Sequence, residues 1–158
     1  MIRTILSLLL LMPLGMVHAS GGGVPTVPAV TTLYSASSCV GLERESSVKL
    51  ISTEEWKALL AAQPDKSKLD SGSEARQIVL VNMGEQRTAG YGVRLADEAA
   101  QVIDGRLRLP VSWVSPKPGM MQAQVITHPC LVVSVDTEFQ QVDVVDQDGR
   151  VRLSTVSR

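Results

Sequence analysis

Ile78-Val79-Leu80-Val81-Asn82-Met83 and Tyr91-Gly92-Val93-Arg94-Leu95 flank the stretch Arg87-Thr88-Ala89-Gly90-Tyr91-Gly92, and this segment decides the fold. The first run is almost continuously apolar, and the second alternates Tyr91, Val93 and Leu95 against Gly92 and Arg94. Both patterns are those of strands rather than helices. The residues between them are small and permissive, so the reading is two strands joined by a shaped loop, with one side of their sheet in the core. The loop holds no nucleophile, base or phosphate cradle. In the bland reading Gly90 takes a backbone angle closed to other residues and Tyr91 packs its ring. In the functional one, Arg87, Thr88, Ala89, Gly90 and Tyr91 form a partner-binding loop, with Arg87 as the exposed contact.

Downstream, Val102-Ile103 and Leu107/Leu109 lie on either side of Asp104-Gly105, a tight-hairpin signal. Strand character continues through Val111, Trp113 and Val114 to the turn Pro116-Lys117-Pro118-Gly119. Gln122 to Ile126 is also strand-like, His128-Pro129 interrupts, and Leu131 to Val135 resumes with β-branched residues. A last hairpin joins Val142 and Val144 to Val151 and Leu153 around Asp148-Gly149, and residues 156–158 are expected to fray. Upstream, Ser52 followed by Glu55 is a capping box, and Trp56, Leu59 and Leu60 at helical spacing predict a helix from Thr53 to Gln63 that Pro64 ends. One or two short strands are expected between Val30 and Leu50, and Asp65 to Glu74 reads as an exposed polar loop. The fold class is therefore α+β, a mainly antiparallel sheet with one packed helix in a single domain.

The N-terminus carries Arg3, an apolar run from Ile5 to Leu11 and Val17-His18-Ala19 before Ser20, which reads as a cleaved signal peptide over residues 1–19. Pro13 and Gly15 cut that run short of a membrane span, so no anchor is expected in the mature chain, and the location is periplasmic or secreted. Residues 20–29, with Gly21 to Gly23 and two prolines, read as a flexible tether, and residues 30–158 as one β-rich domain. In an exported chain, Cys39 and Cys130 are expected to form a disulfide.

The formal charge is −1 and no basic stripe occurs, which argues against nucleic-acid binding. No catalytic set is expected: His128 is the one histidine outside the leader, there is no Gly-x-Ser-x-Gly serine, and a disulfide at Cys130 silences a His128/Cys130 pair. No metal or cofactor is expected either. Met120, Met121, His128 and Cys130 are soft donors without the spacing of a closed site, and the two methionines read as space fillers beside the turn. Asp143, Asp146 and Asp148 do not match a calcium loop and read as turn and solvent-face carboxylates.

The strand ending at Gly84, Thr88-Ala89-Gly90-Tyr91 with Val93 after it, the Pro116 to Gly119 turn and His128-Pro129 before an apolar strand resemble the C-terminal domain of the PrcB family, over Arg76 to Asp136. Two positions depart from that pattern: Ala89 stands where a glycine is usual, and Cys130 where an aromatic is common. The resemblance implies an accessory or maturation factor for an extracytoplasmic protease, binding a protein partner rather than cutting it. The Thr-x-Gly-Tyr loop is also similar to the wedge loop of chagasin-type cysteine-protease inhibitors, though Gln86-Arg87 replaces their Asn-Pro. Inhibition through the Arg87 to Tyr91 loop, and a structural envelope role without a protease, stand as the alternatives.

Overall fold

The computed structural model describes residues 23–64 and 77–155. The elements run β1 (Val30–Ala36), β2 (Ser47–Ile51), α1 (Thr53–Ala61), β3 (Gln77–Asn82), β4 (Gly92–Leu95), β5 (Gln101–Ile103), β6 (Arg106–Val114), β7 (Cys130–Val135), β8 (Gln141–Val145) and β9 (Val151–Ser154). The expected leader at 1–19, the polar loop at 65–74 and the fraying end at 156–158 lie outside the described residues.

The α+β class holds, but the strands form two sheets rather than one. The first has the order β1-β7-β3-β2, and the second β4-β6-β8-β9 with β5 also paired to β6. All pairings are antiparallel except β6 with β8, which run parallel with Leu107 opposite Val142 and Leu109 opposite Val144. The two turns legible in the sequence form as expected. Asp104 and Gly105 both take positive φ, 51° and 72°, in a two-residue turn, and Gly149 takes 76° between β8 and β9.

One core lies between the sheets: Val79, Val81, Leu131 and Val133 meet Leu107, Leu109, Val142 and Val144, all fully buried. A second core lies on the opposite face of the first sheet, where Ile78, Leu80 and Val132 meet Trp56 of α1, with Leu33 and Tyr34 beside them. The expectation that one side of the sheet is core is therefore too small. Strands β3 and β7 are covered on both faces, which is why their sequences are nearly continuous apolar runs. Each such side chain contributes roughly 1.5–3 kcal/mol on burial.

The helix is held at both ends by side chains. The Glu55 N–H donates to Ser52 Oγ at 3.1 Å and the Ser52 N–H to Glu55 Oε2 at 2.7 Å, the reciprocal capping box. The backbone N–H of Ser52, and then its hydroxyl, hold the Glu55 carboxyl below its ordinary pKa. The helix ends at Ala61, short of Pro64, because Gln63 turns inward: its side-chain amide donates to the Leu59 and Val40 carbonyls and its oxygen accepts from the Val40 N–H. That exchange ties the loop after β1 to the helix, and the disulfide between Cys39 and Cys130 fastens the same loop to β7.

The strands expected between Val30 and Leu50 are β1 and β2, with Val40 and Leu42 in the loop between them, and two local expectations differ from the structure. Gln122 to Ile126 lies outside any strand, with Thr127 beside it bridging to Gln86 and Pro129 removing a backbone donor from its far end. The described part of the tether, from Gly23, is laid against the body: Thr26 and Val102 exchange backbone hydrogen bonds of 2.9 and 2.8 Å, and the Ala29 N–H donates to Asp136 Oδ1. The free edge of β5 supplies the groups that hold it.

Candidate functional site

The stretch after β3 is a crossover between the two sheets, since β3 belongs to the first and β4 to the second. Its exit is set by Asn82. This buried side chain donates to the carbonyls of Glu43 and Glu45 at 2.9 and 3.0 Å and accepts from the Gly84 N–H at 2.9 Å. Gly84 has φ +81°, and a Cβ there would lie 2.8 Å from the Ser46 nitrogen and 2.9 Å from the Arg44 oxygen, so the backbone of a neighbouring loop excludes any side chain.

Beyond Gly84 the crossover is bonded to a second loop, 115–129. Gln86 and Thr127 exchange backbone hydrogen bonds of 2.8 and 2.9 Å, and the Ala89 N–H donates to the Ala123 carbonyl at 3.0 Å. Gly90, with φ +96°, packs so closely that a Cβ would stand 2.9 Å from Gln122 Oε1 and 3.2 Å from Pro116 Cγ. The two loops therefore form one unit, each supplying the other's backbone partners.

This unit divides the expected site residues. Arg87 is exposed, Thr88 and Ala89 are half-buried, and Gly90 is a backbone position fitted against Pro116 and Gln122. Tyr91 instead lines a separate groove beside β1 and β4. Sequence reasoning missed the apolar residues displayed by the partner loop. Met120 is 60 % exposed, Met121 100 %, Val125 47 % and Ile126 60 %, so the methionines fill no space beside the turn. The signal in the sequence is an apolar cluster bracketed by Pro116, Pro118, Gly119 and Pro129, residues that disfavour a continuous strand.

The chemistry-bearing residues are otherwise occupied. The Cys130 sulfur is bonded to Cys39, and the His128 carbonyl accepts the Cys39 N–H at 2.9 Å, so Cys130 presents no thiol beside the imidazole. Among the described residues, no three His, Cys, Asp or Glu side chains converge on a point that a metal ion could occupy. Asp146, expected as a turn or solvent-face carboxylate, lies in the β8–β9 turn but is buried there. Desolvation works against its charge, but hydrogen bonds from the Arg150 N–H, the Arg152 side chain and the Asp148 N–H, with the Arg152 charge, outweigh it and hold the carboxyl below its ordinary pKa. Asp143 pairs with Arg106 at 3.0 Å on the outer face of the second sheet.

No curated protein and no solved structure matches the chain. The joined loops, with the strands β3 to β7 that carry them, fall within residues 77–136, and this is the segment that matches the family model described as PrcB C-terminal.

Proposed function

We propose that this chain is an extracytoplasmic accessory domain that docks a protease or its precursor through the two joined loops. The observation that carries the reading is the display of Met120, Met121, Val125 and Ile126 on a loop fixed to the Gln86 to Ala89 backbone. Apolar side chains held outside the core on an ordered scaffold are the usual sign of a protein contact, and methionine adapts to a partner's shape. Arg87 on the adjoining loop adds a charged contact at the rim. The PrcB C-terminal match supports a protease-associated partner, and the Cys39–Cys130 disulfide supports an oxidising compartment.

The test is crosslinked capture by the native protein beside a Met120→Ser, Met121→Ser, Ile126→Ser, Arg87→Glu variant whose unfolding temperature is first shown to be unchanged. The native protein is expected to retain a protease or protease precursor that the variant releases. Equal retention by both proteins overturns the reading. A cleavage assay on the captured protease then separates assistance from the inhibition that the Arg87 to Tyr91 loop suggests: assistance leaves the mature protease active, and inhibition slows it in proportion to the added chain.

A further inference from the structure

Two sheet edges face each other across a gap on the side of the molecule where Tyr91 lies. Among the described residues, β1 pairs with β7 alone and β4 with β6 alone, so each has an open edge there. The edges belong to different sheets and no ladder joins them. A hydrogen bond from the Ser35 hydroxyl to the Val93 carbonyl at 3.2 Å links them, and β4 thereby presents a backbone acceptor toward β1. Between them runs a groove of about 570 Å³, lined along β1 from Thr32 to Ser37 and along β4 from Tyr91 to Leu95, with Leu131 at its floor. Alternate backbone N–H and C=O groups of an edge strand point away from its sheet and are available to another strand. The one charged residue of the lining is Arg94, which is exposed and forms no ion pair among the described residues.

We infer that this groove receives an extended segment of a protein partner, four or five residues long, which adds as a strand to the β4 or β1 edge and sets an acidic side chain against Arg94. Backbone pairing supplies the recognition of an extended chain, and alternate side chains supply the selectivity. A strand advances about 3.3 Å per residue, so four residues match the length of β4. The charge follows from the lining: a guanidinium without a counter-ion among the described residues, beside the buried Val93 and Leu131, selects a carboxylate on an otherwise apolar or hydroxylic strand. The inference rests on the reading of the chain as a protein-binding domain but uses a surface separate from the loop pair.

The probe is the acetylated, amidated peptide Thr-Val-Glu-Val-Thr, added to the disulfide-intact protein while backbone amide exchange is followed residue by residue. Exchange is expected to slow at amides within 31–36 and 91–95, with the Glu peptide binding roughly fivefold more tightly than its Lys counterpart and Arg94→Glu reversing that order. Methylating alternate peptide nitrogens is expected to abolish the protection. No slowing at millimolar peptide, or slowing confined to residues 119–127, overturns the inference. Protection that grows with protein concentration in the absence of peptide also overturns it, because a second copy of this chain then fills the groove. Capture through the loops that persists without groove protection leaves the proposed function standing alone, and groove protection without capture does the reverse.

Discussion

Strands β3 and β7 run through the middle of one sheet, and β6 and β8 through the middle of the other, yet their sequences differ in kind. Ile78 to Val81 and Leu131 to Val133 have no polar interruption, and every one of these residues is buried. Strand β6 instead alternates Arg106, Leu107, Arg108, Leu109, and β8 alternates Val142, Asp143, Val144, with the charged positions outside. The first sheet is roofed on its second face by α1 and the disulfide-bound loop, whereas the second sheet gives that face to water. An unbroken apolar run therefore marks a strand with two protein neighbours, and an alternating run marks a strand with one.

The comparison breaks most readily at the roof. Replacing Cys39 and Cys130 together by alanine is expected to cost about 4 kcal/mol, since the bond closes a loop of 91 residues. Urea denaturation of the oxidised protein and the variant measures it, and a loss under about 1 kcal/mol would mean that the roof holds without its staple. Leu131→Ala, inside the first sheet, is expected to cost about 3 kcal/mol by the same measurement.

Asp146→Asn, in the turn of the second sheet, sharpens the comparison through pH. Because the folded carboxyl titrates below its ordinary range, its stabilisation is present above about pH 4, the unfolded value, and is lost as pH falls through the lower folded value. The variant is expected to melt below the native protein at pH 7, by less than Leu131→Ala does, and the gap is expected to narrow as pH falls below about 4. A gap that stays constant with pH would assign the effect to packing rather than charge. Ser52→Ala removes half of the capping box and is expected to cost about 1 kcal/mol, read by urea denaturation, with Ser52→Gly close to neutral. Arg106→Ala, which breaks an exposed pair on the wet face, is expected to stay within ~0.5 kcal/mol. If it cost as much as Leu131→Ala, the wet face would have to be buried against a partner.

The candidate site was legible only in part. Gly90 and Arg87 behave as their residue types suggest, because a left-handed backbone and an exposed charge are properties of single positions. Tyr91 was assigned to the same loop surface and lies instead at the β1–β4 groove, a placement set by the crossover from one sheet to the other. The expectation that Met120 and Met121 fill space beside the turn is the reverse of their exposure. Apolar character predicts burial on average, and only the absence of a ladder along 121–126 overrides it.

By itself the sequence determined the features whose partners lie within a few residues: the Ser52–Glu55 cap, the Asp104–Gly105 and Asp148–Gly149 turns, and the apolar strand runs. These depend on local backbone preference and short-range hydrogen bonds, which residue order encodes directly. The tertiary structure alone decided that there are two sheets, that β6 and β8 run parallel, that the Arg87 to Tyr91 stretch crosses between sheets, and that β1 and β4 leave facing edges. Any apolar strand satisfies any other equally well at the level of pattern. The choice among pairings is made by the packing of two cores at once, an energy that belongs to the assembled chain and to no single stretch of it.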